Sequence, residues 1–212
     1  MRRVVGVLVL LAAAAPLASV HAASLQATVL DEDGKPVAGA AVYAVPTTPD
    51  LRAPRNASID QVNRQFVPQM MVVQRGAMIS FPNSDNVRHS VYSFSEANRF
   101  TLKLYAGTAA PPVKFPNTGI VALGCNIHDK MVAWVLVVDT PFFGRTDASG
   151  KLVLNGLAPD KYTVRAWRPK MREEPAGEAV RIAADTTSVE LHVPVDADAG
   201  TVAMAGMADM RN

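Results

Sequence analysis

The chain has one cysteine, Cys125, in 212 residues, four histidines, and aromatic side chains at only 6% of its positions. A lone thiol cannot close a disulfide within the chain, so in an oxidising compartment it must be buried, paired between chains or held by a metal. Helical signal is also missing. No stretch beyond the first two dozen residues repeats its apolar positions at a helical period, which argues against helical bundles and alternating βαβ units. Neither sign of charge is in excess, with 21 Lys+Arg against 19 Asp+Glu. Nucleic acid is therefore not an expected partner, because binding it takes a basic face that neutralises phosphates. Long apolar runs are absent too: the run at residues 4–11 falls well short of the ~20 residues a membrane span requires.

That short run has a different meaning. It follows Met1-Arg2-Arg3, is broken at Pro16 and leads to the small-residue site Val20-His21-Ala22, the plan of a secretory signal peptide over 1–22. No cysteine lies near the cleavage point, which rules out a lipidated anchor there. The expected product is periplasmic or otherwise extracytoplasmic, without stable membrane insertion. Loss of Arg2 and Arg3 leaves 19 basic against 19 acidic residues, a formally neutral chain of about 190 residues. That is room for one large or two small domains.

What the sequence does contain is strand signal. Short runs rich in Val, Ile, Tyr and Phe alternate with Gly, Pro, Asn and Asp, predicting strands at 25–30, 41–45, 70–74, 78–81, 88–94, 101–105, 119–125, 132–138, 151–154, 162–167 and 189–193. The expected class is all-β, built as sandwiches.

The two ends of the chain look like halves of one unit. Residues 25–46 read LQATVLDEDGKPVAGAAVYAVP and residues 144–167 read GRTDASGKLVLNGLAPDKYTVRAW. A D-x-x-G-K-P turn, a G-A-x-V strand, then T-D-x-x-G-K-x-x-L and L-x-P-x-x-Y-x-V resemble a carboxypeptidase-regulatory-like, or transthyretin-like, β-sandwich. In that family the halves are separated by a short connection, whereas here about a hundred residues intervene. Insertion of a second domain into a loop accounts for this, since a lone hairpin at the front would be only marginally stable. The expected division is 23–57 plus 141–195 for the outer sandwich, 58–140 for the insert, and a tail at 196–212.

The insert carries the chemistry. It contains FPNSDNVRHSVYSF at 81–94 and GIVALGCNIHDKMVAWVLVVD at 119–139. A strand leads into Cys125, a short loop holds His128 and Met131, and an apolar strand leaves; His89 stands at an upstream strand end. A thiolate and two imidazoles with a weak thioether form a donor set suited to copper in both oxidation states. Zinc is the alternative metal, but it has little use for a thioether. With His21 in the leader, the remaining histidine is His192 in VELHVPV, where strand alternation turns it to solvent.

The order His…Cys-x-x-His-x-x-Met resembles the cupredoxin, or plastocyanin-like, family, and more narrowly the exported bacterial members often labelled methylamine utilization proteins. The resemblance implies a Greek-key β-sandwich and one mononuclear blue-copper-like site of His89, Cys125, His128 and Met131. It also implies that His128 passes the electron through the surface, and that Ser90 or Asn83 supports the thiolate. The expected function is a one-electron carrier between redox partner proteins, not an enzyme: a copper nitrite reductase needs a second, histidine-rich copper site. Copper delivery, or a structural sandwich with a vestigial site, are the alternatives. Met204, Met207 and Met210 in the tail are a further possible Cu(I) set.

Overall fold

The computed structural model describes residues 23–107, 110–169, 171, 176–183 and 185–194. The leader at 1–22 and the tail with Met204, Met207 and Met210 lie outside the described residues. All the regular structure described is β, as the strand signals predict, and no helix there is long and apolar enough to cross a membrane.

The strands are β1 Ala23–Leu30, β2 Ala41–Pro46, β3 Ala57–Ser58, β4 Asp60–Val62, β5 Gln65–Val67, β6 Met70–Gln74, β7 Met78–Ser80, β8 His89–Ser93 and β9 Phe100–Tyr105. They continue with β10 Val113–Lys114, β11 Gly119–Gly124, β12 Val132–Val138, β13 Phe143–Arg145, β14 Lys151–Leu157, β15 Asp160–Trp167, β16 Glu178–Ile182 and β17 Thr187–His192. Each of the eleven predicted strands is present, shifted by at most a few residues. Six were not predicted: β3, β4, β5, β10, β13 and β16.

Strand pairing divides the chain. β1 lies between β14 and the parallel β17, and the second sheet runs β13-β2-β15-β16, so both sheets draw on the two ends of the sequence. Between β2 and β13, strands β3 to β12 pair only among themselves, in the sheets β6-β12-β11-β8-β9 and β10-β7-β3 and the hairpin β4-β5. Thr146 fastens the outer halves across the intervening chain. Its hydroxyl donates to Val37 O at 2.7 Å and accepts from Ala40 N at 2.9 Å, and it is buried.

Two strands explain how the sandwiches stack. Along β12, Ala133, Val135 and Val137 enter the core of the inner sandwich, while Leu136 and Val138 face the other way into an apolar layer with Ala41, Tyr43 and Trp167. In β2, Val42 and Ala44 enter the outer core while Ala41 and Tyr43 face that same shared layer. A strand covered on both faces reads as a continuous apolar run, which is why VAWVLVV lacks alternation. Full burial of a Leu-sized side chain in such a layer stabilises the fold by about 1.5–3 kcal/mol.

Candidate metal centre

Two neighbouring strands of the inner sheet bring the donors together. β8 begins at His89, and β11 runs antiparallel to it and ends at Gly124, just before Cys125. Gly124 faces Tyr92 in the register; a Cβ there would lie 2.7 Å from Tyr92 Cζ, so any larger residue would have to push the tyrosine ring aside. The loop from Cys125 to Met131 then turns back into β12. Met131 N donates to His128 O at 2.9 Å and Asn126 N to Ser90 Oγ at 3.0 Å, which holds the loop at both ends.

His89, Cys125 and His128 each offer a ligand atom, and these atoms all lie within 4.8 Å of one another. Cys125 Sγ is 3.8 Å from His89 Nδ1, and the two imidazole rings lie 4.9 Å apart at 58°. His89 is wholly buried and Cys125 is 3% exposed, while His128 is half-buried. The Nδ1 atom of His128 is buried without a hydrogen-bond partner. Met131, 1% exposed, packs in the same core cluster as Cys125.

Of the two residues the resemblance offers beside the sulfur, Ser90 stands there: its hydroxyl points at Cys125 Sγ from 3.9 Å. Asn83 is used elsewhere. Its amide donates to Val87 O and Tyr105 O at 2.9 Å each, and its Oδ1 accepts from Asp85 N at 3.1 Å, so it shapes the loop ahead of His89. His192 is exposed on the outer sandwich, with Nε2 3.2 Å from Glu190 Oε1.

Asp85 is the participant that sequence reasoning missed. Its Oδ2 lies 2.8 Å from His89 Nε2, and its carboxylate accepts the backbone N–H groups of Asn63 and Arg64, also at 2.8 Å. The bond from Arg64 N, with help from His89 and Asn63, holds the Asp85 carboxyl below the ordinary carboxylate range. The signal was present as an Asp four residues before a His, but in a loop that spacing does not fix a contact.

The donor set fits a soft metal. A thiol, two imidazole nitrogens facing inward and a buried thioether nearby are copper's preferred donors. The orphaned Nδ1 of His128 is the atom a metal would satisfy, since buried polar groups are otherwise almost always paired. His89 would donate through Nδ1, because Asp85 occupies Nε2, an arrangement in which a carboxylate orients a metal-binding histidine.

No family model matches the chain, and no curated protein matches it. Among solved structures it is similar to a Cu(I) form of an amicyanin variant, at 17% identity over 39% of this chain and 82% of that one, with a TM-score of 0.36. A purple cupredoxin from Nitrosopumilus maritimus matches at 19% identity over 39% of this chain and all of its own, with a TM-score of 0.33. A copper-containing nitrite reductase from Thermus scotoductus matches at 19% identity over 45% of this chain, with a TM-score of 0.38; the match spans only 25% of that enzyme.

Proposed function

We infer that this is an exported copper protein of cupredoxin type that carries one electron at a time between partner proteins. The observation that carries the reading is the convergence of His89 Nδ1, Cys125 Sγ and His128 on one point, with His128 Nδ1 buried and otherwise unpartnered. Copper bound there supplies one-electron cycling between Cu(I) and Cu(II). The chain's residues supply the rest. His89 opens β8 and Cys125 directly follows the neighbouring β11, both buried, so the sheet holds their separation. The Ser90 hydroxyl faces the sulfur and tempers its negative charge. Met131 is the candidate weak axial donor.

His128 is the one donor with access to solvent, and its neighbour Ile127 is 48% exposed. A partner docking over this loop meets an apolar side chain at the centre and Asp129 and Lys130 beside it, charges that influence its approach. His192 is the only histidine left beyond the leader and the cluster, and it is exposed on the other sandwich, so one chain has no second histidine-rich copper site. Export rests on the leader sequence.

Delivery of copper is the second reading, carried by the tail methionines Met204, Met207 and Met210. Copper loading of the wild type and of Cys125→Ser, followed by voltammetry with metal content measured before and after, separates the readings. A thiolate-to-Cu(II) absorption present only in the wild type, with reversible cycling and full retention, supports the carrier. Loss of copper on each oxidation supports delivery, and an unchanged spectrum in Cys125→Ser overturns the site.

A further inference from the structure

The hairpin of β4 and β5 contributes no candidate ligand, yet it is fastened to the loop that precedes His89 at several points. Ser84 Oγ donates to Asp60 Oδ2 at 2.7 Å, Ser84 N reaches Gln61 O at 3.1 Å, and Gln61 bridges to Asn83. The tip is the most specific attachment. Asn63 and Arg64 adopt φ of 52° and 58°, left-handed values that are uncommon outside glycine. In this conformation both backbone N–H groups point at one target, the Asp85 carboxylate, at 2.8 Å each. The same carboxylate reaches the buried Nε2 of His89 at 2.8 Å.

We propose that the β4–β5 turn is a positioning device for the copper ligand His89, acting through Asp85. Two N–H groups aim the carboxylate; the carboxylate accepts the Nε2–H of the imidazole; and this fixes the tautomer whose free lone pair, on Nδ1, faces Cys125. Asp85 Oδ2 is shared between Arg64 N and His89 Nε2, so a change at the turn alters the hydrogen bond to the ligand without touching a donor. A carboxylate bonded to a ligand imidazole raises its basicity and favours Cu(II) over Cu(I). The turn therefore helps set the reduction potential. The inference rests on the copper reading above, but its first step belongs to the metal-free protein.

The test uses the full chain in both states. In the metal-free protein at neutral pH, nitrogen NMR of the His89 ring is expected to show protonation at Nε2 in the wild type, and a mixture of tautomers in Asp85→Ala. In the copper-loaded protein, Asp85→Ala is expected to lower Cu(II) affinity roughly 10- to 100-fold, to affect Cu(I) less, and so to raise the potential. Arg64→Pro removes one of the two N–H groups and the left-handed φ, and is expected to shift the potential in the same direction by a smaller amount. Asn63→Gly keeps both the N–H and the turn, and is expected to leave tautomer and potential where they were. A wild-type His89 protonated at Nδ1, or an Asp85→Ala variant with unchanged tautomer and Cu(II) affinity in a protein that shows the thiolate–copper absorption, overturns the clamp alone. A shift in Asn63→Gly as large as that in Arg64→Pro overturns the backbone assignment. Absence of the absorption in the wild type overturns the copper reading, and the role of the turn with it.

Discussion

Replacing His128 by Leu should make the metal-free protein more stable, whereas the same replacement at His89 should make it less so. The two histidines differ in how their nitrogens are satisfied. His128 Nδ1 is buried with no partner, and an unsatisfied buried polar atom costs about 1–3 kcal/mol. Leucine removes that atom at similar volume. Because His128 is half-buried, part of the gain is offset by newly exposed apolar surface, leaving an expected stabilisation of about 1 kcal/mol. His89 is wholly buried and bonded to Asp85, so Leu there forfeits a charge-assisted hydrogen bond worth about 1.5–3 kcal/mol. Urea denaturation in excess chelator, followed by the fluorescence of Trp134 and Trp167, measures both. Without chelator and with copper present the order should reverse for His128→Leu, which has lost a ligand. A His128→Leu variant less stable than the wild type in chelator would refute the idea that this nitrogen is held ready for a metal at the expense of the metal-free fold.

Three other substitutions probe the frame around the site. Thr146→Val leaves Val37 O and Ala40 N without their buried partner and should cost the outer sandwich about 2–4 kcal/mol, read in a denaturation midpoint that falls while the copper absorption at low urea is unchanged. Gly124→Ala places a methyl group 2.7 Å from the Tyr92 ring, which itself packs on Phe94, and should cost about 1–3 kcal/mol as overpacking and alter the absorption next door at Cys125; a wild-type midpoint and spectrum would show that the two strands are free to separate. The Asp147 carboxyl is held below its ordinary range chiefly by the N–H of Lys151, with Ser149 adding to it. Its stabilising effect is therefore full above about pH 4 and declines as the pH falls through the lowered value, so the stability gap between wild type and Asp147→Asn should close on acidification; a gap that persists in acid would refute this.

The long strands could be read from the sequence because burial imprints a pattern on them. β1 alternates buried and half-buried residues along its whole length, and β12 is apolar throughout because it is covered on both faces. The six strands that escaped notice have two to five residues each, too few to show a period. Several exist through what they pair with: β3 and β10 lie on either side of β7, and β13 lies on β2. The β4–β5 hairpin was hidden for another reason. Its turn, Asn63-Arg64, uses left-handed conformations with an arginine where glycine would announce them. Tertiary bonds to Asp85 compensate for the local strain, and no local rule contains them.

The same distinction explains what was visible of the site. Cys125, His128 and Met131 lie within seven residues on one loop, and in a chain this poor in cysteine and histidine such spacing stands out. His89 could be placed because it begins a strand, and the sheet then sets β8 beside β11 without further information. Ser90 followed from being next to it. Asn83 is a candidate for the sulfur by sequence but organises the loop, because an asparagine in a turn can bond in several directions and only the fold selects among them. Asp85 shows the limit most clearly. Its partners are residues 63, 64 and 89, joined by a hairpin whose existence the sequence does not advertise, so the group that orients a ligand was out of reach of any motif confined to the ligands. Donor identity is local chemistry and can be read along the chain. Donor orientation is decided by contacts between segments, and here it depends on two backbone N–H groups whose positions no side chain in the sequence reveals.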